Sequence, residues 1–165
     1  MVEVEFEPEK EGWNVYDLSD GSIIRIKSLL LKLYKVNLGG LATQAAPGAS
    51  PQPQEQFGAS FQNVMVTKRA NERLKGAPNP QPQPILSLDL VDKMEVQFTP
   101  LVEDWNMYRL VESGDMLKVK LVVTLVHRIK NYWDQFGDPL YAVSSTNVVQ
   151  PMKRPTPSSS ASPQA

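Results

Sequence analysis

A run of identities at a fixed spacing constrains this chain more than anything in its composition. Residues 3–18 laid over residues 95–110 place Glu3, Val4, Phe6, Pro8, Glu11, Trp13, Asn14, Tyr16 and Leu18 on Glu95, Val96, Phe98, Pro100, Glu103, Trp105, Asn106, Tyr108 and Leu110, every pair identical and 92 positions apart. One residue is then inserted and the match resumes at a spacing of 93, with Gly21 on Gly114, Ile24 on Leu117, Arg25 on Lys118, Ile26 on Val119 and Lys27 on Lys120. Later, Ser60, Asn63 and Val64 align with Ser144, Asn147 and Val148. Self-similarity held in one register over this many positions is the mark of a duplicated unit.

The unit reads as β-structure. Val2, Val4 and Phe6 alternate with Glu3, Glu5 and Glu7, the period-two pattern of a half-buried strand, and Met94, Val96 and Phe98 repeat it. Pro8 and Pro100 are expected to end these strands, because proline cannot donate to a ladder. A second strand runs from Trp13 to Leu18, with Tyr16 and Leu18 on one face and Trp13 and Val15 on the other. Asp20-Gly21 is a two-residue hairpin signal, and Glu112-Ser113-Gly114-Asp115 is one residue longer. A bulge there preserves the facing of every residue that follows.

A long third strand covers Ile23 to Val36 and Met116 to Ile129, with Leu117, Val119, Leu121, Val123 and Leu125 on one face. Its other face starts polar and turns apolar, as expected of a bent strand shared between two sheets or running across a barrel. A helix is the rival reading for Leu29 to Val36, and the β-branched run Val122-Val123-Thr124 opposes it in the second copy. A fourth strand closes each unit near Asn63 to Thr67 and Tyr141 to Val149, and Lys68 to Lys75 reads as a short helix stopped by Gly76.

These elements define a mostly β fold: an internal duplication of a small four-stranded unit, SH3-like barrel or sandwich-like, with two copies packed about a pseudo-two-fold axis. The first repeat occupies 1–75 and contains a low-complexity insertion at 39–58. A Pro-rich linker and lead-in follow at 76–92, then the second repeat at 93–153 and a Pro/Ser-rich tail at 154–165 that is expected to be disordered. A unit of roughly 60 residues is marginal alone, which favours a shared interface.

Composition narrows the function. The chain has no cysteine, which removes disulfides, thiolate metal sites and cysteine nucleophiles together. With a formal net charge of −1, it does not attract polyanions in bulk. No apolar run approaches the ~20 residues of a membrane helix, and the acidic, alternating N-terminus reads as a strand rather than a signal peptide. A soluble, cytoplasmic protein with no membrane role is expected.

No nucleophile motif, phosphate-binding glycine loop or metal-ligand spacing occurs, so no catalytic, cofactor or metal residue is assigned. The only histidine, His127, lies on a strand and reads as a packing residue rather than a general base. Trp13, Tyr16, Trp105 and Tyr108, present in both copies, read as inter-repeat packing residues. Of each Trp/Tyr pair, the member facing outward from its own unit is expected to meet the other copy.

Arg25, Lys27, Lys118 and Lys120 form a matched basic pair in each half, a candidate phosphate-contacting stripe if it is more than a solvated face. Tyr132, Trp133 and Phe136 sit on a connector where the first copy has only spacer, the composition of a partner-binding hot spot. The leading expectation is a non-enzymatic interaction or assembly module, a structural component of a larger particle that contacts protein or copies of itself. An accessory nucleic-acid-binding role ranks second, and an enzyme with an unfamiliar site third.

Overall fold

The computed structural model describes residues 2–37, 55–80 and 92–152. They form ten strands: β1 (Val2–Glu3), β2 (Phe6–Lys10), β3 (Trp13–Leu18), β4 (Ile23–Asn37), β5 (Glu55–Arg69), β6 (Lys93–Glu95), β7 (Phe98–Val102), β8 (Asn106–Leu110), β9 (Met116–Trp133) and β10 (Pro139–Met152). All pairings are antiparallel and group into two five-stranded sheets. The first has β5 along one edge of β4, with β3 and β1 sharing the other edge and β7 outside β3. The second repeats this plan with β10, β9, β8, β6 and β2. Neither sheet closes on itself among the described residues, so of the barrel and sandwich-like alternatives the closed barrel is absent from them, and the architecture is two open sheets.

The first sheet takes β7 from the C-terminal half, and the second takes β2 from the N-terminal half. Each lead-in strand therefore starts on its own half and finishes on the other. Val2 and Glu3 pair with Lys35 and Tyr34 of β4, and the chain then crosses so that Phe6 and Glu7 pair with Leu110 and Arg109 of β8. In the second half Lys93 to Glu95 pair with β9, and Phe98 to Val102 pair with β3. The expected strand break at Pro8 and Pro100 is corrected here: both prolines lie inside strands, and the breaks come earlier, at the crossings. β2 and β7 are outermost strands, where a missing N–H costs no ladder bond.

The long strands tie the molecule together. The start of β4 (Ile24, Ile26) packs with Tyr16, Leu18, Val96, Leu121, Val123, Val126 and Tyr141. Its end (Leu30, Leu33) packs with Tyr108, Leu110, Leu117 and Val119 in a second cluster. β9 does the reverse, with Leu117 and Val119 in the second cluster and Leu121, Val123 and Val126 in the first. Neither half owns a core. Full burial of each such side chain contributes about 1.5–3 kcal/mol, so every core position stabilises both halves at once.

Each long strand bends at a bulge. The β4–β5 register slips between Leu30 and Lys32, and the β9–β10 register slips opposite Leu125 and Val123. The extra residues, Leu31 and Thr124, are 93 positions apart. At the hairpins, the Leu18 N–H donates to Ser22 O at 2.8 Å and the Leu110 N–H to Asp115 O at 2.8 Å. Gly21 and Gly114 take φ of 91° and 73°, a region that strains other residues.

Two further expectations are corrected, at 68–75 and at 39–58, while the long third strand is as expected. The helix at 68–75 shrinks to a single 3-10 turn, Glu72–Leu74, because Lys68 and Arg69 still belong to β5 and Asn71 caps what remains. Leu29 to Val36 is strand throughout, without the rival helix. The spacer at 39–58 ends sooner than expected, since Glu55 to Gly58 pair with β4. Residues 38–54, 81–91 and the tail beyond 152 lie outside the described residues.

Candidate functional site

The Trp-Asn-x-Tyr motif divides its work between two faces of one strand. Asn14, Tyr16 and Leu18 point inward and are buried, as are Asn106, Tyr108 and Leu110. Tyr16 and Tyr108 are fully buried, and each sends its hydroxyl to a glutamate of the other half: Tyr16 Oη donates to Glu103 Oε2 at 3.1 Å, and Tyr108 Oη to Glu11 Oε2 at 2.7 Å. Their rings meet the other half's lead-in edge-on, Phe6 with Tyr108 at 5.6 Å and Tyr16 with Phe98 at 6.0 Å.

The asparagines cross as well. Asn14 Nδ2 donates to Leu121 O at 3.4 Å, and Asn106 Nδ2 to Ser28 O at 3.2 Å. Their Oδ1 atoms accept from the Asp104 N–H at 3.2 Å and the Gly12 N–H at 3.1 Å. Every buried polar group of this seam thus has a partner in the other half, as buried amides and hydroxyls require. Burial, then the nearby glutamate, pushes both tyrosines far above the ordinary phenol range; for Tyr108 the hydrogen bond to Glu11 precedes its charge in weight.

The outward face carries the tryptophans. The Arg25 guanidinium lies 4.6 Å from the Trp13 ring centroid and Lys27 Nζ 5.9 Å, while Lys118 and Lys120 stand 4.6 and 5.7 Å from Trp105. Lys27 also approaches Glu11 at 4.0 Å, and Lys120 approaches Glu103 at 3.6 Å. Sequence reasoning listed the basic pairs and the aromatic pairs separately; the structure stacks one on the other. It also inverts the expected roles within each pair. The inward tyrosine makes the contact with the other half of the chain, and the outward tryptophan is covered by cations of its own half. Glu11 and Glu103 had no assigned role, although their identity 92 positions apart was the available signal.

The aromatic connector is a braced turn. Trp133 ends β9 half-buried, and its indole N–H donates to Leu74 O at 2.9 Å. Gly76 lies flat against that ring, where a Cβ would come within 2.0 Å of it. Asp134 Oδ1 accepts from the Phe136 and Asp138 N–H groups at 2.8 and 2.9 Å, and Gly137 turns the chain at φ 82°. The segment after the 3-10 turn runs alongside, with the Gly76 N–H on Gly137 O at 3.0 Å and the Asn79 N–H on Asp134 O at 2.8 Å. Phe136 and Tyr132 project from this support, 72% and 48% exposed.

A second polar assembly, missed in the sequence, clamps the first hairpin. Asp20 accepts from the Tyr141 hydroxyl at 2.7 Å and faces the Arg128 guanidinium at 3.3 Å, while Asn71 Nδ2 donates to Asp20 O at 2.8 Å. Beside it opens a basin of about 730 Å³, lined by Lys68, Arg69, Arg73 and Lys75 interleaved with Asp17, Glu72 and Asp138. The mixed signs leave no single-sign field. Burial and then the charge of Asp134 raise the Asp138 carboxyl above its ordinary range.

His127 sits half-buried in β9, in register with Ala142 on one side and Glu95 on the other. Among the described residues, no group of three or more His, Asp or Glu side chains is arranged to hold a metal ion. None of their helices is long and apolar enough to cross a membrane. No family model, curated protein or solved structure matches the chain.

Proposed function

We propose that this chain is a non-enzymatic interaction or assembly module, a structural component of a larger particle, whose contact residues are Phe136 and Tyr132. The observation that carries this is the braced turn: a phenylalanine 72% exposed on a support hydrogen-bonded from both sides. Burying such a ring against a partner is worth about 1.5–3 kcal/mol, and a rigid support loses little conformational entropy on binding. Trp133 serves as the brace rather than as a contact.

The body that holds this turn is, in this reading, a duplicated and fused β unit. Duplication accounts for residues 92 and 93 positions apart making matched contacts, and the open sheets favour a sandwich-like unit over an SH3-like one. The partner is a protein or further copies of the chain. A cysteine-free chain suits the cytoplasm, where thiols stay reduced.

Chromatography with light scattering on purified protein and on native lysate tests the reading. A purified monomer that elutes from lysate in a large assembly, unchanged by nuclease and released by Tyr132→Ser with Phe136→Ser, is the expected result. A monomer in both settings overturns it.

A second reading, accessory nucleic-acid binding, draws on Trp13 and Trp105 each lying beside two cations, the composition of a single-strand platform. It ranks lower because cations already cover the rings and Lys27 and Lys120 face glutamates. Affinity for a single-stranded oligonucleotide that falls steeply with salt is its signature.

A further inference from the structure

The outer faces of the two sheets correspond residue by residue but differ in chemistry. Residues opposite one another on neighbouring strands share a face, which sets Val102, Val15, Arg25 and Val66 in one row across β7, β3, β4 and β5. The matching row of the second sheet is Lys10, Met107, Lys118 and Gln150. In the first row Val102 and Val66 are exposed, and the bulged Leu101 beside them is 56% exposed. In the second, Lys10 is paired with Asp104 at 2.6 Å.

Arg25 is the unusual member. Its guanidinium stacks on Trp13, and its Nε is buried without a hydrogen-bond partner. Lys27 in the next row already has Glu11 nearby, whereas no carboxylate among the described residues pairs with Arg25.

We propose that the outer face of β3, β4, β5 and β7 docks an extended protein segment in which a carboxylate is flanked by aliphatic side chains. The carboxylate lies on the Arg25 guanidinium, and the aliphatic groups cover Val102, Val15 and Val66. A guanidinium edge matches a carboxylate in plane and spacing, and tryptophan and arginine are both enriched among the residues that carry binding energy at protein interfaces. The same face of a second copy is a poor occupant, because it brings Arg25 towards Arg25. This surface is separate from the Phe136 turn, and either can fail without the other.

The test is an NMR titration of the full chain with two probe peptides, acetyl-Val-Ser-Glu-Ser-Val-amide, whose alternate residues put one carboxylate and two flanking valines on the same face, and its Gln-for-Glu counterpart. The Glu peptide is expected to shift the Trp13 indole and Arg25 Nε–H resonances saturably while Trp105, the internal control, stays in place. The Gln peptide, and the Glu peptide on Arg25→Gln or Val102→Lys protein, should bind about tenfold more weakly or worse, the loss of one charge-assisted contact. Val102 is exposed, which keeps its variant folded and the test decisive if Arg25→Gln does not fold. Equal shifts at both indoles, no shift at Trp13, or undiminished binding by the folded variants would overturn the proposal. Sedimentation showing that the free chain self-associates through Trp13 would also overturn it, because a second copy would then be the occupant.

Discussion

β2 and β7 make the same crossing in opposite directions and are held by different forces. β2 lies on β8 beneath ion pairs: Arg109 with Glu7 and Glu9, and Lys10 with Asp104. β7 lies on β3 with Thr99 opposite Asp17 and Val102 opposite Val15, and carries Leu101 and Val102 into solvent. The inward sides of the two crossings are nearly the same, with one tyrosine, one asparagine and one glutamate each way. The outward sides differ. A seam that both halves complete tolerates little change, whereas an outer face is free to take on a partner, and the apolar crossing is the one that borders Trp13 and Arg25.

The comparison can be broken most forcefully at the seam. Tyr16→Ala and Tyr108→Ala should each cost about 3–5 kcal/mol, as truncating a buried aromatic does. The two losses should agree within about 1 kcal/mol and fall in one cooperative urea transition. Two separate transitions would show that each half owns its core.

Alkaline pH acts on the same groups. Tyr16, Tyr108 and Tyr141 all have phenols raised by burial first. A raised folded value means that their stabilisation is complete below the unfolded phenol value, near 10, and is lost as pH climbs towards the folded value. For three such groups the slope approaches about 4 kcal/mol per pH unit. Phenolate absorbance from these residues should therefore appear together with unfolding, and its appearance in folded protein near pH 10 would contradict their burial.

Tyr16→Phe and Tyr108→Phe remove only the hydroxyls. Each should cost about 1.5–3 kcal/mol, the range for a hydrogen bond to a charged group, and tend to the lower end because Lys120 and Lys27 remain beside the glutamates. Urea midpoints measure this directly.

The smallest effects lie on the outer faces. Arg109→Ala should cost about 1 kcal/mol or less, since its ion pairs are exposed, and most of that should vanish in 1 M salt. Val102→Lys should change stability by less than about 0.5 kcal/mol. A salt-sensitive β7 or a salt-insensitive β2 would erase the contrast between the crossings.

Strand identity was legible because alternation and turn chemistry are local. Gly21 and Gly114 announced the hairpins, and the β-branched run around Val123 announced β9. The serine and asparagine matches in the last strand also hold their register, with Ser60 opposite Lys32 and Ser144 opposite Leu125, positions 93 apart. The exchange was not legible. Val4 and Phe6 alternate identically whether they pair within their own half or across to the other, and the Trp-Asn-x-Tyr strand accepts either partner. Pro8 and Pro100 misled for the same reason: an edge position cannot be recognised before the sheet order is known. The Asp20, Arg128 and Tyr141 clamp joins residues more than a hundred positions apart, with no counterpart in the repeat to flag it.

Because the chain has no cysteine, two introduced thiols would be the only ones present, and they can report the crossing directly. Glu7 lies opposite Arg109 in β8, and the position 92 before Arg109 is Asp17, in the same half as Glu7. With reciprocal exchange, Glu7→Cys with Arg109→Cys should oxidise rapidly to an intramolecular disulfide, while Glu7→Cys with Asp17→Cys should stay reduced. The opposite outcome would place β2 on its own half and contradict the shared seam.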